Sequence, residues 1–202
     1  MTTRRLLAIC TLALVPLALS GCMTTAERSR FFVDVQGLHE DSFAFGSTVY
    51  TRPGTDWHTY TAIRPVTIDL TYSAPDAESP LQPEQIEHLR DIWRAAVMAK
   101  LNTLLPTSSQ TTATTLLIKV GLTGIETAKQ DDAFTLSGSN SLLQAEVRDG
   151  NTGQLLLAAE QPANGASMFG GGTPALSAEQ KTALLDAWAE KLADLLSRHI
   201  RP

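Results

Sequence analysis

Two long stretches of this chain, Pro83 to Leu105 and Ser177 to His199, carry apolar residues at three- and four-residue steps. In the first the stripe is Ile86, Leu89, Trp93, Val97, Leu101 and Leu104. In the second it is Leu184, Trp188, Leu192, Leu195 and His199, widened by Leu185 and Leu196. Such spacing puts one greasy face on each of two helices, and each face must be buried against something else. Both helices carry their own punctuation. Pro83 suits a first turn, Glu84 and Glu87 complement the positive end of the dipole, and Pro106 stops the run. Ser177 and Gln180 have the spacing of a capping box for the second helix.

The partner for those faces is legible between them. Val66, Ile68, Leu70 and Tyr72 alternate with Thr67, Asp69 and Thr71, the period of a half-buried strand, and Pro65 belongs at its beginning or on an edge. Leu116, Ile118, Val120 and Leu122 alternate with Leu117, Lys119, Gly121 and Thr123 in a second strand that runs to about Glu126. Leu142 to Asp149 and Leu155 to Glu160 flank the turn Asp149-Gly150-Asn151-Thr152-Gly153-Gln154, whose glycines and asparagine tolerate positive φ, so residues 142–160 read as an antiparallel hairpin. The expected fold is α/β in the α+β sense. It is a two-layer sandwich in which an antiparallel or mixed sheet of about four strands carries two amphipathic helices on one face.

Residues 1–21 have a different character. Arg4 and Arg5 precede an apolar run from Leu6 to Ala18, about 13 residues, the size of a signal-peptide core and too short to span ~30 Å of hydrocarbon. Leu19-Ser20-Gly21-Cys22 resembles the lipobox of bacterial lipoproteins. The resemblance implies cleavage between Gly21 and Cys22, a diacylglycerol thioether on Cys22 and acylation, typically with palmitate, of the new amino end. Two or more acyl chains anchor stably where one does not. Met23 stands where aspartate marks retention in the inner membrane, so the expected location is the outer membrane with the domain facing the periplasm. The alternative readings are an ordinary cleaved leader with an incidental cysteine and an uncleaved anchor.

This division sets the domain plan: 1–21 signal peptide, 22–30 lipidated cysteine and tether, 31–55 an apolar N-terminal segment, and 56–202 the periplasmic α/β domain. The tether reaches about 26 Å when extended. Phe31, Phe32, Val33, Val35, Leu38, Phe43 and Phe45 are too apolar for a solvated linker. Residues 31–55 are therefore expected to pack on the domain, the alternative being an arm that orders on a partner.

Cysteine and charge narrow the function. The chain has 2 cysteines, Cys10 in the leader and Cys22 at the lipid site, so the mature domain has no thiol for a disulfide, a metal or a nucleophile. The net charge of −5 deepens to about −7 once Arg4 and Arg5 leave, and no basic cluster stands out, which argues against a nucleic-acid partner. His39, His58, His88 and His199 show neither a His-x-His pair nor an i, i+4 pair, so no metal and no cofactor is expected. Asp131-Asp132 lacks the alternating oxygens of a calcium loop and reads as a solvated turn. Gly170-Gly171-Gly172 precedes a helix start but lacks a following Gly-Lys-Ser/Thr, so a flexible loop is favoured over an anion cradle. Gly165-Ala166-Ser167-Met168-Phe169 begins like a nucleophile elbow and lacks the final glycine, which makes a serine hydrolase using Ser167 the weakest reading. Trp93 and Trp188 read as core. Trp57 with Tyr60 reads as packing before the first strand, with a contact surface as the alternative.

The hairpin Leu142-Leu143-Gln144-Ala145-Glu146-Val147-Arg148-Asp149-Gly150-Asn151-Thr152-Gly153-Gln154-Leu155-Leu156-Leu157-Ala158-Ala159-Glu160 resembles a segment of a proteobacterial lipoprotein family known as domain of unknown function 3313. Its marks are the strand-ending Asp149, the Thr152-Gly153 turn and the returning Ala158-Ala159. Val49 to Leu70, with Tyr60 shortly before Pro65-Val66, and the closing helix with Trp188-Ala189 are similar to it as well. The likeness covers roughly residues 31–200. It implies a lipid-anchored periplasmic domain and supplies no reaction and no catalytic residues. The functional expectation is a non-enzymatic envelope lipoprotein, an accessory or interaction module bound to membrane lipid through Cys22 and to an envelope protein partner. The alternative is a carrier or sensor of a small apolar ligand.

Overall fold

The computed structural model describes residues 35–42, 47–72, 83–126, 135–136, 141–163 and 178–201. The leader, Cys22, the tether, Asp131-Asp132, Ser167, the Gly170 to Gly172 run and the expected cap Ser177 lie outside them. The described strands are β1 (His39–Ser42), β2 (Thr48–Thr51), β3 (Ala62–Ile63), β4 (Thr67–Tyr72), β5 (Thr115–Glu126), β6 (Thr135–Leu136), β7 (Leu142–Asp149) and β8 (Leu155–Pro162). The helices are α1 (Pro83–Leu101) and α2 (Ala178–Ile200), and a 3-10 turn covers Trp57–Thr59.

All eight strands join one mixed sheet in the order β1-β2-β8-β7-β5-β3, with β4 and β6 also pairing with β5. Four strands were expected, and the class is right while the count is too low. The expected four are β4, β5, β7 and β8. The unforeseen ones are short: β3 and β6 have two residues each, β1 and β2 four each. Four residues complete only two periods of alternation, so no pattern stands out. β1 and β2 pair antiparallel with each other, and β2 pairs antiparallel with β8. A turn closed by Leu38 N–H donating to the Val35 carbonyl at 3.1 Å precedes β1, with Gly37 at φ +79° in its third position.

Around β5 the sheet changes direction. β7 runs antiparallel to it with Ile118 opposite Val147 and Val120 opposite Ala145, whereas β4 runs parallel to it with Ile68 opposite Val120. Parallel neighbours need a crossover, and α1 supplies it between β4 and β5. Pro65 sits in the break between β3 and β4 on this outer edge, where its missing N–H costs no ladder bond.

The apolar residues of the sheet point to the side on which both helices lie. Leu116, Ile118, Val120 and Leu122 of β5, Leu143, Ala145 and Val147 of β7, and Ile68 and Leu70 of β4 form one buried cluster with Leu89, Trp93, Val97 and Leu101 of α1 and Leu185, Trp188, Leu192 and Leu196 of α2. Trp93 and Trp188 meet between the helices, ring centroids 5.7 Å apart and tilted by 60°. Near the hairpin the pairing slips. Val147 opposes Leu157 and Arg148 opposes Leu155, leaving Leu156 as the extra residue of a bulge. Leu156 and Leu157 both belong to the core as a result. Among the described residues no helix is long and apolar enough to cross a membrane.

Candidate functional site

The hairpin turn is held by Asp149. Its Oδ1 accepts from the backbone N–H of Asn151 at 2.9 Å, the N–H of Thr152 at 2.7 Å and the Thr152 hydroxyl at 2.9 Å, while its Oδ2 accepts from the Tyr60 hydroxyl at 2.8 Å. Partial burial opposes the charge, but the donors from Thr152, Tyr60 and Asn151 outweigh it and hold the carboxyl below its ordinary value. Tyr60 moves the other way. Its own burial, the bond to Asp149 and the charges of Asp149 and Asp56 push the phenol well above its usual range. Gly153 turns the chain at φ +69°. Gly150 is needed for another reason. A Cβ there would lie 2.5 Å from the Thr115 carbonyl and 2.8 Å from that of Thr112, since the hairpin end packs directly on the strand entry. Turn and tyrosine, from two of the three segments that carried the family likeness, thus meet in one hydrogen bond.

Beside this turn, on the sheet face away from the helices, lies a polar groove of about 590 Å³. Alternation puts Glu146 and Arg148 on that face, because Ala145 and Val147 face the core. The Glu146 side chain is only 4% exposed. Arg148 Nε donates to Glu146 Oε2 at 3.1 Å and Arg148 Nη1 donates to the Gly153 carbonyl at 3.0 Å. Glu146 Oε1 is buried and accepts no hydrogen bond from the described residues. Arg52, just after β2, crosses the bulge. Its backbone N–H donates to the Leu156 carbonyl at 2.8 Å and its Nε to the Leu155 carbonyl at 2.7 Å. Gln36, Thr152 and Gln154 complete the wall.

A second, more apolar groove of about 190 Å³ opens on the helix side, between the β2–β8 edge and α2. Val49, Ala159, Trp188, Leu192 and Leu195 line its depth, and Lys191, Arg198, Glu160 and Asp194 stand at its rim. Lys191 Nζ donates to Gln161 Oε1 at 3.4 Å.

Of the residues singled out in the sequence, Trp57 and Tyr60 are each 7% exposed, so they pack rather than present a surface. Trp57 stacks on His199 of the last helical turn, centroids 5.0 Å apart at 25°, and joins α2 to the hairpin side of the domain. His39, His58 and His88 are exposed. Among the described residues no three His, Cys, Asp or Glu side chains gather to hold a metal ion. Glu146, Arg148 and Arg52 were missed. The available signal was Glu-x-Arg on a strand, which places both side chains on one face within reach of each other, but nothing in it says that this outward face is buried.

The model of the family described as "Protein of unknown function (DUF3313)" matches residues 27–192. No curated protein matches the chain. Among solved structures, it is similar to the PelC dodecamer protein from Paraburkholderia phytofirmans at 12% identity and a TM-score of 0.37, covering 70% of this chain and 96% of that one. It is also similar to a DUF4136 family protein from Bacteroides thetaiotaomicron at 11% identity and a TM-score of 0.44, covering 76% and 96%. With the family model spanning the turn, the tyrosine and most of both helices, this chain belongs to the DUF3313 family, a family of unknown function.

Proposed function

We propose that this protein is a lipid-anchored envelope lipoprotein that works by binding rather than by catalysis. Cys22 holds it to the periplasmic face of the outer membrane, and the α/β domain meets an envelope partner. The observation that carries this reading is Leu19-Ser20-Gly21-Cys22 at the end of a short apolar leader, with Met23 in place of a retention aspartate. A membrane-tethered domain needs no span of its own, and two or more acyl chains hold it at ~0.8 kcal/mol per buried CH₂. Intact-mass analysis and fractionation test it. The wild type is expected in the membrane fraction with its leader removed and acyl mass on Cys22, and Cys22→Ser is expected to lose both. A bare amino end on the wild type, or unchanged fractionation of the variant, ends the reading.

A second reading, a carrier or sensor of a small apolar ligand, draws support from the groove lined by Val49, Ala159, Trp188, Leu192 and Leu195. Native mass spectrometry after gentle extraction is expected to show an adduct that Leu195→Arg, at a half-buried lining position, removes. A consistently empty wild type overturns this version.

A further inference from the structure

We propose that the polar groove on the sheet face away from the helices binds a small zwitterion, with the ligand's ammonium on Glu146 and its oxyanion on Arg52 and Arg148. The proposal deepens the binding reading and rests on it, but not on the apolar groove under α2.

The argument starts from the buried carboxylate. A charge taken out of water is stable only when its oxygens receive strong donors. Glu146 is 4% exposed, Oε2 has Arg148 Nε at 3.1 Å, and Oε1 has no donor among the described residues. The strongest complement to an unpaired carboxylate oxygen is a cationic donor. The opposite requirement stands on the same wall. Arg52 uses Nε on the Leu155 carbonyl, and Arg148 uses Nε and Nη1 on Glu146 and the Gly153 carbonyl. The rest of each guanidinium fork has no acceptor among the described residues, and such forks match carboxylate and phosphate oxygens in pairs.

Sign selects the ligand. A plain anion would satisfy the arginines and leave Oε1 unpaired. A plain cation would satisfy Oε1 and face two guanidinium groups. A molecule with both charges answers each. The volume, about 590 Å³, is within the roughly 300–1,000 Å³ of small-molecule sites. The ammonium–oxyanion pair occurs in free amino or peptide ends and in phosphoethanolamine head groups, and the test separates these sources.

Isothermal titration on the full, lipidated chain in detergent micelles uses tri-alanine and phosphoethanolamine as probes. N-acetyl-tri-alanine, tri-alanine amide and inorganic phosphate are the one-charge controls. At least one zwitterion is expected to bind with a Kd at or below about 1 mM, and removing either of its charges is expected to weaken binding tenfold or more. Tri-alanine alone binding names the peptide source; phosphoethanolamine alone names the head group. In Glu146→Gln the loss on removing the ammonium disappears, and in Arg52→Gln the loss on removing the oxyanion disappears. Arg52→Gln alters a half-buried surface side chain, so it carries the test if Glu146→Gln does not fold. The proposal is overturned if neither zwitterion binds, or if the one-charge controls bind as well as the zwitterions. Leu195→Arg is expected to leave zwitterion binding unchanged, so a failure here does not touch the apolar groove, and an empty apolar groove does not touch this site.

Discussion

Along the middle of β7 the two faces of the central sheet are closed to water to a similar degree by opposite chemistry. On the helix side, Val120, Ala145 and Val147 are fully buried beneath tryptophan and leucine. On the other side, one residue along the same strand, Gln144 is equally inaccessible and Glu146 nearly so. The first face is held by area and shape, which tolerate no holes. The second depends on partners, with Gln144 Nε2 donating to Glu160 Oε2 at 3.4 Å and Glu146 leaning on Arg148. An apolar face without function needs only to be filled. A buried polar face with an unanswered oxygen is a destabilising arrangement, and such arrangements persist where something else uses them.

The comparison is broken most severely at the helix face. Trp93 is fully buried against Trp188, so Trp93→Ala should cost about 3–5 kcal/mol and be read directly in denaturant melts. Its Nε1 is buried without a partner among the described residues, so Trp93→Phe deletes an unsatisfied donor together with some volume. It should cost clearly less than the alanine variant. Equal losses would mean that packing at this point does not depend on shape.

At the hairpin the effect is backbone on backbone. Gly150→Ala forces a methyl to within 2.5 Å of the Thr115 carbonyl, which neither chain can yield without breaking the Gly150 N–H bond to that same oxygen at 2.8 Å. A loss of about 2–3 kcal/mol is expected. Gly153→Ala, where only φ is strained and space is open, should cost about 1 kcal/mol. The reverse order would show that left-handed geometry, not close approach, dictates glycine in this turn.

These positions show what the sequence could and could not tell. Ile118, Val120, Leu143 and Val147 were readable because each strand is long enough to repeat its alternation, and both helical stripes were readable for the same reason. The turn was legible as a turn, yet Gly150 was read as a conformational glycine when it is a spatial one, because the Thr112 to Thr115 backbone that crowds it lies far away in sequence. β1 and β2 were hidden by brevity. The groove around Glu146 was hidden by the logic of alternation itself. A period of two assigns each residue to a face, and it carries no information on whether that face is covered. The bulge at Leu156, which brings the Arg52 side chain onto the Leu155 carbonyl, has no signal in a run of three leucines.

The junction between Tyr60 and Asp149 allows a smaller test, through protons. Tyr60→Phe removes one charge-assisted bond from a partly exposed carboxylate and should cost about 1–2 kcal/mol near neutral pH. Because the folded Asp149 has a lower pKa than its unfolded value of 3.8, its contribution is complete above that value. It is lost as pH falls through the folded pKa. The raised pKa of Tyr60 acts at the other end. Its contribution is complete below the unfolded value of 10.0 and fades as pH climbs above it. Tyr60→Phe should flatten both limbs of the stability profile. In an ultraviolet titration it should remove a tyrosine that ionises above the usual range. A variant with the wild-type alkaline limb would mean that another group governs it.

The smallest effect separates a built polar face from an ordinary one. Lys119 Nζ and Asp69 Oδ2 lie 2.9 Å apart on the same outer face as Glu146, but their side chains are 35% and 41% exposed. Water competes for both ends, and holding two mobile chains together costs entropy, so Asp69→Asn should change stability by no more than about 0.5 kcal/mol, and less as salt is added. Glu146→Gln changes charge as Asp69→Asn does, on a side chain ten times less exposed. There Arg148, itself 30% exposed, loses the charge of a carboxylate that water barely reaches. The buried oxygen that had no donor becomes half of an amide that can donate. If the two variants prove equally silent, Glu146 is no more than a solvated surface charge. If only the Glu146 variant responds, the outer face is organised around that carboxylate.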